Sequence, residues 1–496
     1  MPIPSEVVSC FKYVDLNVKS YIQELEQIVK IPNVSSDLEA SSHLEDLVKW
    51  LIARLKQLGF TVQIREPDFS HPKYKGKNKP PIVLAFLGND SKKKTLVYYS
   101  HLDVLKVQRP QWKTDPFELT KIDGKLYGRG TAKMKGPLLC FIHAVESYLE
   151  MGIELPINIK ILCESMFECR SAGLRGILDN LKSSFLADAD CVLMTESHWL
   201  GSQHPCVVYG TRGVCYFNLT IEGAIRDLSS GDFGGVIREP MFDLLHIFSS
   251  LVDPFGIVRI PEFYDDIVDV TPDEEDFYKK IQIEIEEYRK IVGVEKLGHG
   301  GDLKKILMRV WRYPWVNLHY VNTSCQDGNL LNIPRKVLAR FSIRSVPNQK
   351  HERVSKMVMD YVNELAKQSK TPNKVIINTE HPLDPWYENH LHWNYNAACT
   401  ATKQVYKEDA SFIREGNGFP TLLKLRDAMP NRNILILPIV NSEAKAHSEE
   451  ENISLRNYIE GTKLLIAYFY ELPRAAVQHV ADKKASRRPK ICRNKL

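Results

Sequence analysis

The sequence of 496 residues lacks any apolar run that approaches the roughly 18 residues needed to cross a bilayer. Its first residues show no continuous apolar stretch behind a basic start, so no secretory signal is visible. Internal repeats and long low-complexity segments are also missing. Hydrophobic residues make up 44% and charged residues 26%, which excludes a fibre and a wholly disordered chain. We therefore expect a globular protein of two or three domains without a membrane partner.

Paired cysteines are missing as well. The ten cysteines are scattered along the chain, and none of them forms a CxxC pair. In a chain of this length such a distribution is typical of reduced thiols, and it predicts a cytoplasmic protein.

Net positive charge is missing outside the C-terminal end. The formal net charge is +5, but residues 483–496 alone hold seven Lys and Arg and no acid. We interpret residues 481–496 as a basic, disordered tail and expect no nucleic-acid partner, because the rest of the chain offers no basic face. A scaffold protein that acts through this tail stays open as an alternative.

Short apolar runs alternate with helical patterns in the first part of the chain. Strand-like runs such as PPIVLAFLG, TLVYYS, INIKILCES and CVLMTES are separated by stretches of helical periodicity such as GPLLCFIHAVESYLEMGI. This order predicts an α/β domain with a mixed, mostly parallel sheet. From about residue 208 the pattern becomes that of a smaller α+β unit, and the first pattern returns near residue 383. We predict one discontinuous domain, 1–207 plus 383–480, and an inserted domain, 208–382.

Histidines and carboxylates follow several predicted strands. In open α/β sheets ligands bind at the carboxyl ends of strands, so these residues should share one edge. Imidazole and carboxylate ligands suit Zn or Mn, although each residue alone is also typical of an ordinary structural or surface position. The residues in question are His101, Asp103, Glu164, Glu168, Glu196, His198, Glu443 and His447.

Several longer motifs resemble one enzyme family over about residues 15–475. The stretches YYSHLDV, DPFELTKIDGKLYGRGTAKMKGP, WLGSQHPCVVYGTRGVCYF, IPRKVLARFSIRSVPN and NYIEGTKLL are similar to those of the carnosinase and cytosolic non-specific dipeptidase family of co-catalytic zinc metallopeptidases. The resemblance implies a catalytic α/β domain, an inserted lid domain that forms a homodimer, two bridged Zn or Mn ions and hydrolysis of dipeptides.

The resemblance also assigns residues. It implies that the metal ligands are His101, Glu168, Glu196 and His447, with a Glu at position 196 where dipeptidases usually carry Asp, and that Asp103 is the catalytic aspartate. Arg344 and His392 match positions associated with substrate binding.

Other positions depart from the family pattern. The aspartate that bridges both metals is replaced by Lys133, and the general-base glutamate by Phe167. Three substrate-site positions are also changed: the lid histidine that reaches across the dimer is Ser229, a lid threonine is Leu331, and a loop serine is Gly418.

The first two changes should disable two-metal hydrolysis. An ammonium cannot bridge two cations, and a phenyl ring cannot accept a proton from a metal-bound water, a step whose loss costs ~10²–10⁴ in rate. The sequence predicts a degenerate dipeptidase that keeps a dipeptide-like ligand or pairs with an active relative. An active enzyme with a rearranged site remains open, as does a carbamate formed on Lys133 that replaces the bridging acid.

Overall fold

A computed structural model describes residues 3–36, 41–67, 79–325 and 331–486 of the chain. The helices are α1 (Ser5–Leu16), α2 (Val18–Val29), α3 (Ser41–Gln57), α4 (Lys135–Glu150), α5 (Leu174–Leu181), α6 (Ser230–Phe233), α7 (Pro240–Leu251), α8 (Pro272–Lys280), α9 (Ile285–Val292), α10 (Leu303–Trp311), α11 (His351–Gln368), α12 (Trp393–Tyr406), α13 (Pro420–Ala428) and α14 (Leu455–Ser486). None of these helices is long and apolar enough over its described residues to cross a membrane.

The strands alternate with these helices along the first and last parts of the chain. They are β1 (Thr61–Arg65), β2 (Ile82–Leu87), β3 (Lys94–His101), β4 (Thr120–Ile122), β5 (Lys125–Tyr127), β6 (Ile157–Glu164), β7 (Cys191–Met194), β8 (Cys206–Thr211), β9 (Val214–Glu222), β10 (Leu228–Ser229), β11 (Trp315–Thr323), β12 (Asn332–Ile333), β13 (Lys336–Arg344), β14 (Lys374–Leu383), β15 (Trp386–Tyr387), β16 (Ser411–Glu415), β17 (Asn433–Ile436) and β18 (Asn452–Ser454).

A large mixed sheet forms the centre of the molecule. Its order within the described residues is β1-β2-β6-β3-β7-β17-β8-β15, and β16 pairs with β8. The pairs β6–β3, β3–β7, β7–β17 and β8–β16 are parallel. Strands such as β7 are buried along their whole length, as expected for a parallel sheet covered on both faces. The predicted fold class, α/β with a mostly parallel sheet and a further α+β unit, is therefore confirmed.

A second, antiparallel sheet carries its own hydrophobic core. Its order is β11-β13-β9-β14. Strand β9 alternates between buried and half-buried residues, so one face is available for packing. Helices α7 and α11 cover that face, and Phe217 and Phe341 stack within this core with ring centroids 4.9 Å apart. The two cores are separate clusters of buried side chains.

Part of the segment predicted as the inserted domain packs against the first core. Tyr278 of α8 and both Leu307 and Trp311 of α10 belong to the core of the large sheet. The carboxylate of Glu274 in α8 lies 2.9 Å from the guanidinium of Arg414 in β16, and both side chains are buried. The boundaries of 208–382 stay a prediction. Residues 481–486, predicted as the start of the disordered tail, belong instead to helix α14, and residues 487–496 lie outside the described residues.

Gly136, at the start of α4, offers a test of the packing near the GRGTAKMKGP loop. A Cβ at this position would collide with the carbonyl oxygen of Thr131. We expect Gly136→Ala to destabilise the protein by about 1–3 kcal/mol, because the clash involves backbone that cannot move cheaply. The urea unfolding midpoint measures this change.

Gly176, in α5, is the matched control, since a Cβ there meets no atom within 4 Å. Gly176→Ala should leave stability unchanged or raise it by about 0.4–1 kcal/mol, because alanine restricts the unfolded chain. Equal midpoints for the two variants would contradict the described loop geometry.

Candidate active site

A cavity of about 1190 Å³ lies between the carboxyl edge of the large sheet and the second sheet. Lys133, Glu168 and His447 line it from the large sheet's side, and Tyr216 and Arg344 line it from the second sheet. Of the eight predicted strand-end residues, Glu168, His198 and His447 line this cavity.

Asp103 is the centre of a hydrogen-bond network below this cavity. Its carboxylate accepts hydrogen bonds from the backbone N–H of Phe167 (3.0 Å) and of Glu168 (2.8 Å), and from the hydroxyl of Ser35 (2.5 Å). These bonds hold the short 3-10 turn Phe167–Cys169 against the end of β3. Asp103 is fully buried, so its carboxylate oxygens rely on protein donors such as these for hydrogen bonds.

His101 ends β3 and lies between two carboxylates. Its Nδ1 is 3.3 Å from Asp103 Oδ1, and its Nε2 is 3.3 Å from Glu196 Oε1. Burial alone would lower the pKa of His101, but the charge of Glu196 and the bond to Asp103 outweigh burial and raise this pKa to about 10. The imidazole therefore carries a positive charge at neutral pH.

Lys133 makes the shortest ion pair of the site. Its Nζ lies 2.5 Å from Glu196 Oε2, and its side chain is only 13% exposed. Burial tends to lower the pKa of Lys133, yet Glu196 keeps this pKa above its ordinary value. Burial likewise opposes ionisation of Glu196, but Lys133 and His101 lower the pKa of Glu196 to about 2. The three groups form one charged cluster.

Two phenyl rings enclose the Lys133 ammonium. Its Nζ lies 5.0 Å from the centroid of Phe167 and 5.3 Å from that of Phe419, within the range of cation–π attraction. The Phe167 ring also stacks on His101, with centroids 4.2 Å apart. Lys133 and Phe167 line the cavity, whereas His101 and Glu196 are 0% and 4% exposed. The Lys133 ammonium and the Phe167 ring thus separate the His101–Glu196 pair from the cavity.

Glu168 and His447 remain open to the cavity. His447 Nε2 lies 3.1 Å from Glu168 Oε1, and the histidine side chain is 40% exposed. His447 also has a left-handed backbone (φ 71°), an uncommon conformation for a residue other than glycine. The predicted ligands therefore form two separate pairs, one accessible and one covered.

Some of the predicted substrate-binding residues line the cavity and others do not. Arg344 and Gly418 line the cavity. His392 does not line the cavity; it accepts a hydrogen bond from Asn394 N and caps α12, and its role in substrate binding stays a prediction. Ser229 and Leu331 belong to the β10–β12 region and do not line the cavity either, so their suggested cross-dimer position stays a prediction.

Two further carboxylates predicted at strand ends, those of Glu164 and Glu443, interact with residues outside the cavity. Glu164 is buried and accepts hydrogen bonds from the hydroxyls of Tyr99 and Ser171, and burial raises its pKa to about 7. Glu443 pairs with Lys125 at 2.9 Å. Neither carboxylate lines the cavity, so neither takes the position of the general base that the resemblance implies is lost.

Sequence reasoning missed many of the cavity residues, and three of them are informative. Glu415 ends β16 and accepts a hydrogen bond from the Ser197 hydroxyl. Phe419 and His381 also line the cavity. Glu415 follows SFIR, a short run with two strand-favouring residues, Phe412 and Ile413, that could have been assigned to a strand at the same sheet edge. Phe419 and His381 had no comparable signal, because they lie in a loop and at an irregular strand end.

The residues present do not fit a bridged pair of divalent ions. The described ranges contain one group of three or more His, Cys, Asp or Glu ligand atoms within 4.8 Å of one another, and it is His351, Glu352 and Asp384 on the second unit. At the predicted site the Lys133 ammonium is bound to Glu196, and each predicted metal keeps two ligands where catalytic zinc normally has three.

The fold and the cavity between the two sheets define a two-unit peptidase architecture. The model of Peptidase family M20/M25/M40 matches residues 97–471, and the chain belongs to this family. The predicted resemblance to carnosinase and related dipeptidases is thereby confirmed.

Individual relatives agree with this assignment. Cys-Gly metallodipeptidase dug1 of Schizosaccharomyces pombe is 35% identical over 465 residues, which are 93% of this chain and 97% of that protein. Beta-Ala-His dipeptidase of Homo sapiens is 34% identical over 483 residues, which are 95% of this chain and 94% of that protein. The crystal structure of human carnosine dipeptidase 1 has a TM-score of 0.82 at 33% identity, and the match covers 95% of this chain and 100% of that chain.

Substitution of Asp103 tests its role as the anchor of the 167–169 turn. In Asp103→Asn one acceptor oxygen becomes an NH₂ group that faces a backbone N–H, so a buried donor loses its partner. We expect a loss of about 1.5–3 kcal/mol in the free energy of unfolding. Urea denaturation, with or without added metal, measures it.

Asp90→Asn is the control, because Asp90 also accepts a backbone hydrogen bond, from Lys92, but is exposed. Its effect should stay within about 0.5 kcal/mol. A similar small effect for Asp103→Asn would show that the turn does not depend on this carboxylate.

Proposed function

We propose that this protein is a metallodipeptidase-family member with an impaired catalytic centre that still binds a dipeptide-like ligand. One observation carries the proposal: the Lys133 ammonium contacts Glu196 at the position that the family resemblance gives to the bridging aspartate. A bridging carboxylate reduces the repulsion between two divalent ions, whereas an ammonium adds to it. The ion pair supports a site that is neutralised internally.

The loss of the general base points in the same direction. Two-metal hydrolysis needs a group that takes a proton from the attacking water and passes it to the leaving amine. Phe167 has no titratable proton, and its ring lies over His101. A carbamate on Lys133 would bring a second anion against Glu196, so it would require both metals to be bound.

Ligand binding is supported by what remains of the cavity. Arg344 lines it and has no carboxylate within ion-pair distance among the described residues, so it is available to a ligand anion. A Cβ at Gly418 would lie 2.7 Å from the carbonyl oxygen of Arg212, so a serine there would require a local shift.

An active dipeptidase with a rearranged site is the second candidate. Glu168 and His447 line the cavity, and His101, Asp103 and Glu196 are buried beneath its floor, so the acids and histidines that two-metal chemistry would use are near one another. This candidate requires that metal ions displace Lys133 from Glu196.

We also propose a dimer formed through the second unit, with another copy or with an active relative. Phe242 and Leu245 on α7 are 57% and 59% exposed. Strand β11 is an edge of the second sheet, and its Leu318 is 52% exposed. Exposed apolar groups beside an unpaired edge favour association. A cytoplasmic location is consistent with the nine cysteines of the described residues, none of which forms a disulfide bond.

Association is measured by light scattering after size exclusion. We expect a dimer for the unaltered chain and a monomer for Phe242→Glu combined with Leu245→Glu, because two buried charges would oppose the interface. Val480→Glu is the control, since Val480 is 52% exposed on α14, outside the second unit. A monomeric unaltered chain would remove this part of the proposal.

Metal content and peptidase activity test the catalytic part. We expect substoichiometric zinc and manganese by elemental analysis, and turnover of a dipeptide panel far below the ~1–10³ per second of ordinary enzymes. The double variant Lys133→Asp, Phe167→Glu should bind metal stoichiometrically and gain at least ~10²-fold in rate, since it restores both acids.

Addition of His101→Ala to the double variant is the control, and it should abolish the gain by removing a predicted ligand. Stoichiometric metal in the unaltered protein, together with hydrolysis that a chelator stops, would favour the active enzyme and overturn the proposal.

A further inference from the structure

We infer that the cavity recognises a zwitterionic, peptide-like ligand without any metal ion, and that Glu415 receives the ligand's ammonium group. The inference rests on the proposed function, because it requires that Lys133 and not a metal occupies the centre. It adds a residue, Glu415, and a ligand class defined by a free amino group and a carboxylate.

One end of the cavity carries carboxylates that are not fully neutralised. Glu415 lines the cavity, is half-buried, and accepts a hydrogen bond from Ser197 Oγ. Within the described ranges no Lys, Arg or His lies at ion-pair distance from Glu415. The Lys133 ammonium acts on Glu415 only from a greater distance, because its direct contact is with Glu196. Glu168 adds a second acid, paired only with a histidine that is 40% exposed.

The Glu415 side chain is held in place by a strained neighbour. Ser197 has a left-handed backbone with φ 77°, a conformation that costs free energy in a residue other than glycine. This conformation accompanies the hydrogen bond from Ser197 Oγ to the Glu415 carboxylate. A carboxylate that is oriented before the ligand arrives loses little entropy on binding.

The opposite side of the cavity carries positive charge. Arg344, at the end of β13, has no carboxylate partner in the part of the chain that the structure describes, whereas Arg340 on the same strand lies 3.6 Å from Glu380. Burial, and then the charge of Arg344, lower the pKa of the neighbouring Arg212 to about 10. Because Arg344 lines the cavity and has no carboxylate at ion-pair distance in the described ranges, it favours a ligand carboxylate.

An organic cation suits the acidic side better than a divalent ion does. Glu168, His447 and Glu415 do not form a group of ligand atoms within 4.8 Å of one another among the described residues. A metal needs ligand atoms at about 2.0–2.6 Å from its centre, whereas an ammonium donates hydrogen bonds of about 2.7–2.9 Å in several directions. The wide spacing of the ligand atoms of Glu168, His447 and Glu415 therefore favours an ammonium group over a metal ion.

Calorimetry on full-length protein freed of metal with EDTA tests the inference. The probes are L-alanyl-glycine, its N-acetyl derivative and its C-terminal amide. We expect the free dipeptide to bind, and each capped derivative to bind at least about tenfold more weakly, because each loses one charge-assisted contact.

Glu415→Gln supplies the decisive comparison. This variant should weaken binding of the free dipeptide at least about tenfold. Its affinity for the N-acetyl derivative should stay unchanged, because that derivative has no ammonium group to contact Glu415. Arg344→Gln should likewise weaken binding of the free dipeptide at least about tenfold and leave the affinity for the C-terminal amide unchanged. Glu408→Gln, an exposed acid paired with His204, is the control and should change no affinity.

The outcomes separate this inference from the proposed function. If the metal-free protein binds no dipeptide at millimolar concentration, or if Glu415→Gln weakens both forms equally, the inference is overturned while the impaired centre stands. If binding appears only after zinc or manganese is added, both are overturned, because the centre then depends on metal.

Discussion

The contact between the Lys133 ammonium and the Glu196 carboxylate determines the arrangement of this site. The two groups are 2.5 Å apart and mostly buried, so each would be costly to leave without the other. Glu196 also faces His101, whose other nitrogen faces Asp103. A fixed monovalent cation thus lies among groups that suit divalent ions in the family. The rings of Phe167 and Phe419 complete its surroundings.

Retained residues do not by themselves indicate retained chemistry. Asp103 keeps three hydrogen bonds from Ser35 and the 167–169 turn, so it has a structural reason to persist without a metal. His101 is stacked on Phe167 and closed off from the cavity. The family fold therefore remains intact while the reactive groups below the cavity are held by internal ion pairs.

Much of this arrangement could be predicted from the sequence, because strand ends in a parallel sheet meet at one edge. The order of strands and helices predicted the large sheet, and His101, Glu168, Glu196 and His447 lie at its edge. The other features depend on tertiary packing, which the sequence pattern does not specify. Periodicity shows that α8 has an apolar face but not which core receives it, and a histidine such as His392 serves equally as a helix cap. Glu415 escaped notice because its strand is short and carries charge at its end.

Anomalous X-ray diffraction at the zinc edge, on crystals grown with excess zinc, tests the central claim most directly. The account predicts no anomalous peak between His101 and His447, with continuous density from the Lys133 side chain to Glu196. Two peaks at that position, bridged by a carboxylate or a carbamate and with Lys133 displaced from Glu196, would contradict it.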